Sequence, residues 1–225
     1  MIEFLRGYEG YLGEWLVEMS IASLGTLQLM LVAFGLACAL GLAIALLRIS
    51  PFALLRGFAR LYIGFFRGVP VLVILYWIYF ALPEMGYRFL VISSYTAAVL
   101  GLGIHGGAFL AEVFRSGIDS LHRGQREAAL SLGLTPAQAM RWIILPQALR
   151  VVLPPIANYA VGLLKETALC SIIAAPELML RAKDLASSSF LPMEAFVLAA
   201  VFYYMMSFPL MRAAEYLEAR MGAGR

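Results

Sequence analysis

Five long apolar segments, separated by charged stretches, constrain the fold of this chain more than any other feature. They run near residues 20–47, 67–83, 91–114, 151–175 and 193–212. A helix needs about 20 residues to cross a hydrocarbon core of roughly 30 Å. The alternating pattern of a transmembrane β-strand is absent, and 62% of the residues are hydrophobic. The sequence therefore predicts an all-α membrane protein with five transmembrane helices, forming a single domain over residues 1–225.

A shorter amphipathic stretch, residues 51–66, precedes the second apolar segment. Arg56 and Arg60 recur there among apolar side chains, namely Phe52, Leu55, Phe58, Leu61 and Tyr62. A helix with one charged and one apolar face typically lies in the plane of the membrane surface. We therefore expect this stretch to lie at the interface, before the chain enters the membrane at the short second span.

Lysine and arginine are distributed unevenly between the two sides of this arrangement. Twelve fall in the connection between the first two spans, in the loop after the third span and in the C-terminal tail, and four fall in the remaining segments outside the spans. Cytoplasmic segments carry the excess of positive charge. The bias predicts a multi-pass protein of the cell (inner) membrane, with its N-terminus outside and its C-terminus and long loop in the cytoplasm.

The cytoplasmic loop, residues 117–150, begins with the signals of a short helix. Asp119 or Ser120 is expected to cap this helix, and Gly133 to end it, because glycine adopts a left-handed backbone without strain. Three apolar residues recur along it and are expected to form a small apolar face, namely Ala128, Ala129 and Leu132. Small side chains on such a face allow the backbone of a partner to approach closely.

A second short helix is expected to follow the turn at Gly133. Thr135 followed by Pro136 is typical of a helix N-terminus, and Pro146 is expected to break the helix after about Leu145. These signals leave two interpretations open. The elbow is either an amphipathic unit that packs on its own helix bundle or a surface that a partner binds.

The same loop contains a longer pattern that occurs in a known family. The pattern consists, in order, of Glu127, Ala128, Ala129, Gly133, Ile143, Leu145 and Pro146. It resembles the EAA loop of ABC-importer permeases, which docks onto the ATP-hydrolysing subunit. Residues 66–73, 107–118, 164–169 and 176–178 are similar to motifs of polar amino-acid uptake permeases and occur in the same order. The resemblance implies that Glu127 orients the contact with the ATPase.

The resemblance also implies an architecture and a set of partners. It predicts a type I ABC importer permease core with a cytoplasmic EAA coupling elbow, of the histidine/glutamine/arginine/cystine type. Such a permease pairs with a second permease subunit, identical or homologous. It works with two ABC ATPase subunits and an extracytoplasmic amino-acid-binding protein. The expected substrate is a polar amino acid or close analogue, carried across the lipid bilayer.

Ionisable residues inside the spans are candidates for the substrate pathway, because they are costly to place in lipid. Lys165 and Glu166 are adjacent in the fourth span, so they point about 100° apart on a helix. Glu166 is suited to an ammonium group and Thr167 to a hydrogen bond with an amino-acid substrate. The alternatives are a structural ion pair or a lysine that extends to the surface. His105, among glycines in the third span, is expected to be a packed residue rather than a ligand.

Several other functions find no support in the sequence. The phosphate-binding glycine-rich loop of ATPases is absent, and no pattern of catalytic or metal-ligating residues stands out. We therefore predict a transporter subunit that is not an enzyme, with no cofactor, no metal and no nucleic-acid partner. Two rivals remain: an ion-driven secondary amino-acid carrier, expected to show inverted repeats, and a membrane scaffold or enzyme subunit that transports nothing.

Overall fold

The computed structural model describes residues 11–86, 91–120 and 123–222. Every regular element in these ranges is helical. The α-helices are α1 (Leu12–Arg48), α2 (Ala53–Gly68), α3 (Val71–Tyr76), α4 (Ser94–Asp119), α5 (Arg123–Ser131), α6 (Pro136–Ala139), α7 (Leu145–Glu166), α8 (Leu178–Ser189) and α9 (Pro192–Gly222). Wider π turns follow α3 and α6, at Trp77–Ala81 and Met140–Ile144, and 3-10 turns lie at Pro83–Met85 and Thr167–Ile173.

Four helical segments within the described ranges are long and apolar enough to cross a membrane. They are Leu12–Arg48, Ser94–Asp119, Pro136–Ile173 and Pro192–Met221. A fifth candidate is a bent pair, Ala53–Gly68 with Val71–Met85, in which the chain bends by 102° between the two halves. The all-α membrane fold is thus confirmed. The bend lies at the start of the predicted second span, 67–83, and the amphipathic stretch before it forms the helix Ala53–Gly68.

The break in the second span follows from its local sequence. Val69 is extended (φ −98°, ψ 130°), because the residue before a proline is sterically excluded from the helical region. Pro70 then lacks the N–H that would continue the helix, while its fixed φ of −57° suits the start of α3. The chain therefore turns sharply between α2 and α3.

Several helices extend beyond their apolar segments. α1 begins at Leu12 rather than near residue 20, and α9 continues to Gly222 rather than ending near residue 212. The prediction that Asp119 or Ser120 caps the loop helix is wrong. Asp119 is the last residue of α4 and pairs with Arg115, and the Ser120 hydroxyl donates to the Gly117 carbonyl. Hydropathy marks only the part of a helix that lipid covers, so it does not show where the helix ends in water.

The core of the bundle is built on the contact between α1 and α4. Glycines of α4 make this contact close: a Cβ on Gly103 would come within 2.5 Å of the Leu36 side chain. Small residues at such interfaces are typical of membrane helices, because they let two backbones approach. This pair forms a frame around which α2, α7, α8 and α9 are arranged.

Candidate functional site

The elbow predicted within residues 117–150 contains α5, whose end has a defined geometry. Gly133 has a φ of +81°. Its N–H donates to the Leu130 carbonyl (3.0 Å), and the Leu134 N–H donates to the Ala129 carbonyl (3.2 Å). These two bonds form the Schellman motif, which satisfies the last carbonyls of a helix. The predicted role of Gly133 as the end of the first elbow helix is confirmed by this backbone conformation.

The second elbow helix starts with a reciprocal cap. The Gln138 N–H donates to Thr135 Oγ1 (3.3 Å), and the Thr135 N–H donates to Gln138 Oε1 (2.9 Å). Pro136 occupies the first turn, where a missing N–H costs nothing. The predicted helix start at Thr135 and Pro136 is therefore confirmed. With one cap on each side, the turn between α5 and α6 has few unsatisfied backbone groups.

The second elbow helix does not end at Pro146. It continues through the π turn Met140–Ile144 into α7, so the predicted break at this proline is wrong. The Leu145 N–H donates back to the Met140 carbonyl, five residues earlier. This wider turn gives the Pro146 ring room where an α-helical turn would bring it against the Trp142 carbonyl. The elbow is consequently one piece with the fourth membrane helix.

The elbow has a largely exposed apolar surface. Leu132 is 82% exposed, and Leu130, Trp142 and Leu145 are also exposed. Ala128 and Leu132 are exposed while Ala129 is buried, so the small apolar face predicted from these three residues is only partly exposed. The chief neighbours of α5 are α6 and the π turn. The elbow thus packs mainly on itself and leaves its apolar side chains free for another surface.

The remaining residues of the EAA pattern are arranged along this elbow. The backbone of Glu127 lies in α5, and its side chain is outside the part that the structure describes. Ile143 is half-buried in the π turn, while Leu145 and Pro146 are exposed at the start of α7. The pattern therefore spans both helices of the elbow and the beginning of the membrane helix.

The ionisable pair in the fourth span points to two different places. Lys165 is exposed and borders a cleft of 250 Å³ between α7, α8 and α9. Glu166 is half-buried, and its Oε2 atom is buried without a hydrogen-bond partner among the described residues. Thr167 is fully buried, and its hydroxyl donates to the Leu164 carbonyl (2.7 Å). Of the three, Glu166 has the polar atom most in need of a partner.

Two more buried polar atoms without a partner in the described part of the chain lie on α7, which carries Glu166, and on α4, which packs against α7. The Tyr159 hydroxyl and His105 Nδ1 are buried and have no hydrogen-bond partner among the described residues. Tyr159 precedes Glu166 by seven residues, two turns along one face of α7. Its hydroxyl lies against the α4 backbone, since a Cβ on Gly106 would come within 2.1 Å of it. The sequence alone does not identify Tyr159, because an aromatic residue in an apolar helix is ordinary whether or not its hydroxyl has a role.

Glu177 is the centre of a second set of hydrogen bonds, which the sequence analysis did not predict. It is 2% exposed, and its carboxylate accepts from the Met179 N–H (2.8 Å), the Leu180 N–H (2.6 Å) and the Tyr203 hydroxyl (2.7 Å). Burial raises the pKa of this carboxyl. The residue caps α8 and ties it to α9. An acid just before an apolar helix was the signal available in the sequence.

Comparisons with known proteins agree on one family. The family of binding-protein-dependent transport system inner membrane components matches residues 35–223. A probable amino-acid ABC transporter permease of Vibrio harveyi is 41% identical over 209 residues, covering 92% of this chain and 93% of that protein. One from Bacillus subtilis (strain 168) is 47% identical over 165 residues, covering 73% and 72%. The crystal structure of an amino acid ABC transporter with histidines matches with a TM-score of 0.87 at 33% identity, covering 93% and 96%.

Proposed function

Because this chain belongs to the family of binding-protein-dependent transport system inner membrane components, we propose that it forms the membrane pathway for a polar amino acid or close analogue. The chain is the permease subunit of an ABC importer, and ATP hydrolysis belongs to a separate subunit. It is therefore not an enzyme, and the family sets aside the ion-driven carrier and the scaffold. Similarity to amino-acid permeases supports the substrate class.

The exposed elbow is the observation that carries the coupling part of this proposal. Its apolar side chains, Leu130, Leu132 and Trp142, face away from the chain's own core. An ATPase subunit docks on this surface, and Glu127 orients the contact. Because α6 continues into α7, a displacement of the elbow moves the fourth membrane helix with it. The rest of the EAA pattern, Ala128, Ala129, Gly133, Ile143, Leu145 and Pro146, shapes this connection.

The assembled transporter contains more than this chain. Two permease subunits, identical or homologous, enclose the pathway, and two ATPases bind the two elbows. An extracytoplasmic amino-acid-binding protein delivers the substrate. The arginine distribution supports a topology with the N-terminus outside and with the elbow and C-terminus in the cytoplasm.

The substrate pathway passes the end of α7. The unpartnered Glu166 oxygen accepts from an ammonium group of the substrate, since a buried acceptor without a donor is costly. Lys165, which borders a different cleft, is the group proposed to attract the substrate's carboxylate at another point of the pathway. Thr167 contributes a hydrogen bond once its own helix bond to Leu164 opens.

The coupling role is tested by ATP-driven uptake of a radiolabelled amino-acid panel. The chain is reconstituted in vesicles with its ATPase and binding protein, and Glu127→Lys is compared with wild type. We expect uptake to be lost and the ATPase to dissociate during purification. The matched control is Glu218→Lys, an exposed position near the end of α9, which should retain both. Normal uptake by Glu127→Lys would contradict the coupling role.

The pathway role is tested separately with Glu166→Gln, which keeps the shape of the side chain and removes its charge. We expect uptake to fall at least about tenfold, the equivalent of about 1.4 kcal/mol, while the ATPase still co-purifies. Glu218→Gln serves as the control for the substitution. Uptake at the wild-type rate and affinity would exclude Glu166 from the pathway without affecting the coupling proposal.

A further inference from the structure

Helix α2 has three faces with different surroundings. Ala59 and Ile63 are buried and pack into a cluster with Ile44 of α1 and Ala111 of α4. The Tyr62 hydroxyl donates to the Ile104 carbonyl (2.7 Å). These contacts fix one face of α2 to the frame of the bundle. The two remaining faces are exposed.

One exposed face of α2 is apolar. Leu54 is 85% exposed and Leu61 is 72% exposed, and Phe58 and Phe65 are exposed in the same row. The spacing of four, three and four residues places all four on one side of a helix. Such a row of large apolar side chains is unfavourable in water, at about 25 cal/mol per Å². It indicates a lipid environment on this side.

The other exposed face of α2 is basic. Arg56, Arg60 and Arg67 lie on one side, about 150° around the helix from the apolar row at 100° per residue. Arg60 and Arg67 are exposed, and Arg56 is half-buried. The ion pairs of the described part of the chain involve Arg115, Arg181 and Arg212, and none involves an arginine of α2. The sequence contains no Asp or Glu between Glu18 and Glu84. Among the described residues, no ion pair compensates the charge of this row.

The position of α2 along the bundle corresponds to a membrane boundary. Ala111, against which it packs, is three residues from residue 114, the predicted end of the third span. α1 also ends near this cluster, because Leu47, which packs against it, is followed by Arg48, the last residue of α1. The 102° bend after Gly68 then directs α3 away from α2. A helix that packs near the ends of two spans, with apolar and basic rows nearly opposite, matches an interfacial helix.

We propose that α2 lies in the membrane interface and that Arg60 and Arg67 bind the headgroups of acidic phospholipids. The apolar row is immersed in the acyl chains, and the arginines reach the phosphate level on the opposite side. Guanidinium groups form paired hydrogen bonds with phosphate oxygens, and a basic row near an anionic surface gains attraction from each charge. Arg56 also holds the turn before α2, since it donates to the carbonyls of Ser50 (2.9 Å) and Pro51 (2.6 Å).

The test measures lipid selectivity of the full chain in phosphatidylcholine vesicles. Spin-labelled phosphatidylglycerol and phosphatidylcholine report, by electron paramagnetic resonance, which lipid is held next to the protein. We expect the wild-type chain to prefer phosphatidylglycerol over phosphatidylcholine at low salt. The double variant Arg60→Gln/Arg67→Gln should reduce this preference about fivefold. This double variant leaves Arg56 and its carbonyl bonds intact. Arg60→Lys/Arg67→Lys keeps the charge and should keep most of the preference.

A control pair with the same loss of charge distinguishes α2 from net charge alone. Arg212 and Arg220 are held within α9, by Glu215 and by the Tyr216 hydroxyl. Arg212→Gln/Arg220→Gln should change the preference by less than about twofold. An equal loss in both double variants would overturn the proposal. So would an unchanged lipid preference with loss of the co-purified ATPase, which would assign the arginine row to that partner. Neither result depends on the substrate.

Discussion

The turn at Gly133 permits a quantitative prediction for the coupling elbow. A Cβ added there would meet no heavy atom within 4 Å, so Gly133→Ala creates no clash. The cost is the left-handed backbone alone (φ +81°), about 1–2 kcal/mol for an L-residue. If the cap opens locally, this cost raises the open population about 5- to 30-fold. The effect is confined to the elbow, since the other helices do not use this turn.

Hydrogen exchange measures that population directly. In the reconstituted transporter, the amide of residue 133 and the Leu134 amide are protected by the Leu130 and Ala129 carbonyls. We expect both amides of Gly133→Ala to exchange faster by the same factor of about 5 to 30. Gly133→Asn should show a smaller increase, because asparagine tolerates the left-handed region.

The control for the substitution itself is Gly162→Ala in α7. This glycine lies in a right-handed helix, and its Cβ would also meet nothing within 4 Å. Alanine there should stabilise the local helix by about 0.5–1 kcal/mol and should not speed exchange. Wild-type exchange at residues 133 and 134 in Gly133→Ala would refute the argument that the left-handed glycine holds the elbow together.

Three further predictions concern packing, capping and the exposed elbow surface. Gly117→Ala would place a Cβ within 2.1 Å of Val152 Cγ1 and should lower the free energy of unfolding by about 1–3 kcal/mol, with partial rescue by Val152→Ala in thermal unfolding. Glu177→Ala removes three hydrogen bonds and should cost about 3 kcal/mol. Tyr203→Phe, which removes one of these three bonds, should cost about a third as much in the same assay. Leu132→Ser should change stability by less than about 0.5 kcal/mol yet weaken ATPase association measured by co-purification.

The sequence predicted the two caps at the turn between α5 and α6 correctly because their signals are local, whereas the predicted cap at Asp119 or Ser120 is wrong because α4 extends through Asp119. A glycine that must take a positive φ, or a threonine followed by proline, acts through its nearest backbone neighbours. Pro146 was misread because its effect depends on the turn before it. The π turn Met140–Ile144 absorbs the proline, and nothing in the residue types distinguishes such a turn from a helix end.

The intramembrane polar groups show the opposite limit of sequence analysis. Lys165 and Glu166 stand out in the sequence because charged residues are rare in membrane spans. Their side chains point in different directions because adjacent helical positions are about 100° apart. Tyr159 is recognised as a buried polar group without a partner among the described residues only once the packing of α7 on α4 places its hydroxyl against the backbone at Gly106. The pairing of Glu177 with Tyr203 likewise spans 26 residues. Contacts of this kind depend on how helices pack, which local patterns do not specify.

The continuity of the helix through Pro146 changes how motion at the elbow is transmitted. From Pro136 to Glu166 every residue is helical, a length of about 45 Å at 1.5 Å per residue. Under the coupling proposal, a helix broken at Pro146 would absorb a displacement of the elbow in the loop, whereas a continuous one transmits it towards Glu166. Pro154 and Pro155 lie inside this segment and remove helix hydrogen bonds there. The first non-helical residue after this segment is Ala174, with a φ of 54°. The elbow helix α6 and Glu166 therefore lie on one continuous helical segment, and α8 with its Glu177 cap begins after it.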